Sequence, residues 1–155
     1  MAARVRGFDW HVEFMSQSLS ESVESVPLLQ SLNMPYVFDH VGHAAPQDYG
    51  RDRFHRLLRI LKTEEFAWIN LYSFYQRSAE GPPRYSDMLP IVRAICETRN
   101  DRVIWGSNWP HAGIGVPTPD DADLLDFLFD AVPEENDRRL ILSENPAKLY
   151  GWSTP

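Results

Sequence analysis

Four times along this sequence a short apolar run gives way to side chains able to hold a substrate or move a proton. Glu13 and Gln17 follow the first run, Asp39, His40 and His43 the second, Tyr75, Gln76 and Arg77 the third, and Asn108, Trp109 and His111 the fourth. An imidazole such as His40 can ligate a metal, polarise a carbonyl or exchange a proton near neutral pH. A guanidinium such as Arg77 pairs with a carboxylate in two-pronged fashion. Plainer readings stand beside these: His40 packed in a loop against Asp39 or a backbone carbonyl, and residues 102–111 as a Trp-rich structural loop with His111 exposed. His11, alternating with Val12, reads as a core histidine with its ring satisfied. His55 lies among Arg51, Arg53, Arg56 and Arg59 on a solvated helix face. Asp120, Asp121 and Asp123 are accounted for by the helix start they occupy.

Such groups act together only if the chain brings them to one place. The runs at residues 10–15, 35–39, 67–72 and 102–105 are rich in β-branched and aromatic residues and read as strands. A helical pattern follows each. Ser20 is placed to cap a segment containing Val23 and Val26, which Pro27 restarts or kinks. Phe54, Leu57, Leu58 and Leu61 share one helix face, as do Met88, Leu89, Val92, Ile95 and Cys96. After the fourth run, Thr118 is expected to cap a helix with Pro119 at its first position. Pro133 opens a further helix, expected to end at Asn145-Pro146 before a short turn stopped by Gly151. Alternating strand and helix means an α/β fold with a parallel sheet, either an open doubly wound sheet or a segment of a barrel. In both, polar residues at the carboxyl ends of strands converge. The absence of G-x-G-x-x-G and G-x-x-x-x-G-K-[ST] counts against a nucleotide-binding open sheet.

Composition narrows the partners. The 155 residues, 43% hydrophobic and 12% aromatic, suffice for one packed domain. A net charge of -7 with no long basic run argues against nucleic acid. A single cysteine, Cys96, cannot form an internal disulfide, and residues 1–15 lack a secretory apolar stretch. A cytoplasmic protein without a membrane span is expected.

Five ordered strings carry a resemblance: Trp10-His-Val-Glu13, Val37-Phe-Asp-His-Val-Gly42, Trp68-Ile-Asn-Leu-Tyr-Ser73, the stretch from Arg102 through Trp105-Gly-Ser-Asn-Trp-Pro to His111, and Asn145-Pro-Ala-Lys-Leu-Tyr-Gly151. Together they resemble the amidohydrolase-related hydrolases, most nearly the 2-pyrone-4,6-dicarboxylate lactonase type. The resemblance implies that residues 1–155 form one domain, the C-terminal half of a (β/α)8 TIM barrel: strands five to eight with C-terminal helices. The family's His-x-His motif belongs to strand one, so the domain is expected to be incomplete and to pair with an N-terminal half or form a homo-oligomer.

By position, His40 matches a strand-six histidine that polarises or holds the scissile carbonyl, and that would ligate zinc or manganese in a complete metal-dependent form. Asn108 stands where the family has an Asp that ligates metal or takes a proton from water; an amide cannot be that base. Met15 and His43 stand near a substrate-binding Tyr and Arg, and Arg77 supplies a guanidinium with a one-residue shift. Glu13, Tyr75 and His111 complete the expected substrate contacts. The implied activity is hydrolysis of a lactone or similar ester of a small organic acid. The alternatives are a non-catalytic binding module and a metal-dependent decarboxylase of the same superfamily.

Overall fold

The computed structural model describes residues 6–111 and 118–152. Four strands form one parallel sheet in the order β1-β2-β3-β4: β1 (Val12–Phe14), β2 (Tyr36–Phe38), β3 (Ala67–Asn70) and β4 (Val103–Ile104). Each strand pairs with the next in sequence, and no strand crosses over another. That order decides between the two architectures. A doubly wound sheet reverses direction to place helices on both faces, whereas a barrel winds one way and keeps its helices outside.

The burial pattern agrees with one-way winding. On the outer face, Tyr36, Phe38, Ala67, Ile69 and Val103 pack into one core with helix residues. The helices are α1 (Leu19–Glu24), α2 (Val26–Ser31), α3 (Asp52–Thr63), α4 (Leu89–Arg99) and α5 (Asp121–Ala131). Phe54, Leu57 and Leu61 of α3, spaced for one helix face, are all but sealed from solvent, and each stabilises the packing by about 1.5–3 kcal/mol. On the inner face, Val37, Trp68 and Ile104 join Leu149 in a small second apolar cluster among the described residues. The fold is α/β, four parallel βα units corresponding to half of a (β/α)8 barrel.

Three local expectations are corrected. Ser18, not Ser20, caps α1, its hydroxyl accepting from Glu21 N at 3.2 Å. Asp120, not Thr118, caps α5, accepting from Ala122 N at 2.8 Å, because an extended carboxylate two residues ahead of that N–H is already in reach. Asn145-Pro146 does not end its helix. After α6 (Glu135–Arg139), a π-helical turn at Leu140–Glu144 leads straight into α7 (Asn145–Tyr150), with Pro146 as the second residue of α7. Gly151 then stops α7 with φ 70°, as expected.

Asn145 explains why the Asn-Pro pair sits there. Its Nδ2 donates to Asn100 O and Val103 O, both at 2.7 Å, so the start of α7 is tied to the start of β4. Replacing Asn145, only 3% exposed, with Ala strands two carbonyls and is expected to cost roughly 2–4 kcal/mol. Urea denaturation of the variant against the parent chain measures that cost; a difference under about 0.5 kcal/mol, the usual range for surface changes, would show that the clamp is dispensable.

Candidate active site

Parallel pairing puts the carboxyl ends of the strands on one rim, and the backbone there is bent into left-handed turns. His40, Val41, Gly42 and His43, directly after β2, have φ of 52°, 56°, 62° and 59°. For the β-branched Val41 this costs on the order of 1–2 kcal/mol. The turn is held by Gly42 N donating to Asp39 O at 2.9 Å. From the other side Ser22 Oγ donates to Gly42 O at 2.8 Å while receiving Ser16 Oγ at 2.6 Å. A side chain at Gly42 would start 3.0 Å from a Leu57 methyl, so the tight approach to α3 also favours glycine.

The turn sets two imidazoles side by side. The His40 ring lies edge-on to His43 at 5.5 Å and to Tyr72 at 4.9 Å. His40 Nδ1 is buried with no hydrogen-bond partner among the described residues. Burial lowers its pKa, with Asp39 pulling up and Arg77 pushing down, so the ring is neutral at pH 7. His43 is pushed down to about 4 by burial, Arg77 and His40. Neutral His43 accepts at Nδ1 from Arg77 Nη2, which also lies 3.2 Å from Nε2. The two residues expected to meet an anionic group therefore converge, although 34 positions separate them.

Glu13, in register with Val37, faces the inner side of the sheet and accepts from His11 Nε2 at 2.9 Å. His11 is thus satisfied, as expected, but at the sheet margin. The Glu13 carboxyl is raised to about 8, first by burial, then by hydrogen bonding with Asp39 and repulsion from it. Asp39 is 4% exposed, and its Oδ1 has no hydrogen-bond partner among the described residues. The Tyr72 hydroxyl is also pushed up, by burial and by Asp39.

A second group stands beyond β3 and β4. Tyr75 follows β3 in the turn Phe74–Gln76. Its Oη receives Asn108 Nδ2 at 2.9 Å and lies 2.9 Å from His111 Nδ1. His111 Nε2 lies 3.0 Å from Asp121 Oδ1 in the first turn of α5. His111 is buried, its side chain 4% exposed, which overturns the exposed-loop reading. Asn108 and His111 both have positive φ, 70° and 57°.

Every expected site residue is therefore near a strand end, in three sets: Glu13 with Asp39, His40 with His43 and Arg77, and Tyr75 with Asn108 and His111. Sequence reasoning missed Tyr72 and Asp121, and it placed Asp39 at the strand end without giving it a role of its own. Asp39 was legible, because it lies two positions after the inward Val37 and so shares its face. Asp121 carried no signal, since a helix start accounts for an acidic residue. Met15 and Gln17 are exposed.

Among the described residues no three His, Cys, Asp or Glu side chains converge closely enough to hold a metal ion. His40 alone does not make a zinc or manganese site, which needs three or four protein donors. A cavity of about 540 Å³ opens at the opposite rim, lined by Trp10, Pro35, Phe66, Trp68 and Arg102 among others. It holds none of the site residues, and in barrels that end serves stability rather than chemistry. No helix among the described residues is long and apolar enough to cross a membrane.

Glu13 gives a pH signature. Its folded-state pKa of about 8 lies above the ordinary 4.5, so the folded chain holds this proton more tightly than the unfolded one. Stability contributed by protonated Glu13 is present at low pH and is lost as pH rises from about 4.5 to about 8. With 40% of the side chain exposed, solvent screening moderates the effect. Glu13→Gln should accordingly gain on the parent chain between pH 5 and pH 9 in denaturant titrations. An unchanged difference across that range would show that Glu13 titrates normally.

Comparison with known proteins bears on the family and the fold. A 4-sulfomuconolactone hydrolase of Hydrogenophaga intermedia is 32% identical over 148 residues, covering 92% of this chain and 47% of the relative. A 2-pyrone-4,6-dicarboxylate hydrolase of Comamonas testosteroni is 27% identical over 158 residues, 97% of this chain and 52% of the relative. A crystal structure from Agrobacterium tumefaciens, in its apo form, superposes with a TM-score of 0.82 at 27% identity, covering 99% of this chain and 55% of that one. The chain spans about half the length of the curated relatives it matches. The family model described as Amidohydrolase matches residues 1–152, and the chain belongs to that family.

Proposed function

We propose that this chain supplies one half of an active site that opens a lactone, or a similar ester of a small organic acid, with water. The observation that carries the reading is the meeting of a neutral imidazole with an unpartnered buried nitrogen, His40, and an Arg77–His43 pair on one rim. His40 donates a hydrogen bond to the scissile carbonyl and stabilises the oxyanion as water adds. Arg77 holds a carboxylate of the substrate, with His43 accepting one of its N–H groups so that the guanidinium is fixed in direction. Asn108 gives Nδ2 to Tyr75 and keeps its carbonyl oxygen to orient water. The water oxygen bonds the carbonyl carbon, the bond to the ring oxygen breaks, and one proton passes from water to that oxygen. The names of the Hydrogenophaga and Comamonas relatives, both lactone-type hydrolases, support this class.

The test uses 2-pyrone-4,6-dicarboxylate and 4-sulfomuconolactone, followed by loss of the ring chromophore. Hydrolysis by the chain should fall about 100- to 1,000-fold in kcat when His40 becomes Ala. Arg77→Ala should act mainly on KM. Binding without hydrolysis would favour the non-catalytic reading, for which Asn108 in place of a carboxylate is the specific argument.

A ring of eight strands also needs four more. β1 and β4 are the two edges of the sheet, and among the described residues the inner cluster of Val37, Trp68 and Ile104 has Leu149 as its one further apolar member. Our proposal is that residues 1–155 are an incomplete domain and that a second half-barrel, from another copy of this chain or a complementary half, closes the ring and covers these edges. Light scattering should then report an assembly larger than 17.9 kDa. A monodisperse monomer that hydrolyses the lactone would refute the closure.

A further inference from the structure

The bonds around His111 run in one direction, and the chemistry of their ends fixes which. Asp121 Oδ1, as a carboxylate oxygen, can only accept, so His111 Nε2 at 3.0 Å carries the hydrogen. In a neutral ring Nδ1 is then the acceptor, and the Tyr75 hydroxyl 2.9 Å away donates to it. Tyr75 Oη accepts in turn from Asn108 Nδ2 at 2.9 Å. Tyr75 and His111 are both buried, whereas Asp121 is half exposed, so the charge sits at the wet end of a dry chain. The order carboxylate, imidazole, hydroxyl is that of a hydrolytic triad, with a phenol at its head.

We infer that Asp121, acting through His111, makes Tyr75 the proton acceptor for the attacking water, in place of the carboxylate that Asn108 lacks. This rests on the lactone-opening reading. As the water oxygen bonds the carbonyl carbon, its proton passes to Tyr75 Oη and the Tyr75 proton passes to His111 Nδ1. The imidazolium so formed is stabilised by Asp121. When the bond from carbonyl carbon to ring oxygen breaks, the same path returns one proton to the leaving oxygen and His111 is neutral again. Tyr75 is the catalytic residue; Asp121 is a positioning residue that sets the tautomer of His111 and offsets its charge. An acidic first turn on α5 thereby has a use beyond helix capping, which Asp120 already provides.

The test has a readout that does not depend on activity. In the full chain labelled with ¹⁵N-histidine, the signal lost in His111→Gln should show the Nε2–H tautomer at neutral pH. Asp121→Asn keeps an acceptor and the tautomer; Asp121→Ala should lose the preference. With 2-pyrone-4,6-dicarboxylate, Tyr75→Phe should lower kcat about 100- to 10,000-fold. Asp121→Asn should lower it about 10- to 100-fold with KM within threefold, and Asp121→Glu should recover part of the loss. An Nδ1–H or doubly protonated His111 would overturn the relay, as would full kcat in Tyr75→Phe. If the parent chain opens no lactone, the functional reading fails, and the tautomer and its response to Asp121→Ala still decide whether the chain of bonds exists.

Discussion

The parallel register of the four strands is the constraint on which everything else depends. Because Val37 pairs with Glu13 on one side and Trp68 on the other, and Asn70 with Ile104, every strand leaves the sheet on the same rim. Residues that follow the strands are then neighbours however far apart they are in sequence. Arg77 meets His43 across 34 positions and His111 meets Tyr75 across 36. An antiparallel pairing of the same segments would send half of them to the opposite end. The helices reinforce the register mainly from the outer side, through the Phe54, Leu57 and Leu61 face of α3 and its counterparts on α4 and α5.

Strain collects where the chemistry is expected. His40, Val41 and His43 after β2, Ser73 after β3, and Asn108 and His111 after β4 all have positive φ. Such conformations persist only where the surrounding structure over-determines them. Here the surroundings are identifiable: Ser16 and Ser22 brace the turn after β2, and the Tyr75 and Asp121 bonds brace His111 after β4. The result is a set of side chains held by backbone turns rather than by long flexible loops.

Much of this was legible in the sequence, for reasons of periodicity. Each strand was read from its apolar run and each major helix from its i, i+3, i+4 face, and the site residues from their place just after the strands. Helix starts were less legible, because several residues near each start can cap: Ser18 and Ser20 compete, as do Thr118 and Asp120, and only the backbone angle decides. The end of the last helix was misread because Pro146 looks like a stop and is in fact a first-turn residue. Burial was the least legible property. The plainer of two readings left His111 exposed beside Trp109, yet its backbone is left-handed and its ring is buried while Trp109 remains 77% exposed.

Asn108, which the resemblance places where the family carries an Asp, gives the rest its meaning. A carboxylate at this position could only accept, so the Tyr75 hydroxyl would have to choose between it and His111 Nδ1. The amide removes the choice. By donating to Tyr75 Oη, Asn108 leaves that oxygen's single hydrogen for the imidazole, and the direction of the three bonds becomes unique from Asn108 to Asp121. The negative charge has not vanished from the rim; it stands at Asp121, two bonds further out, and reaches the site only through His111. On this view the substitution does not simply delete a base. It reverses the polarity of one hydrogen bond, and in the relay we infer the neighbouring hydroxyl takes the proton that a carboxylate would have taken.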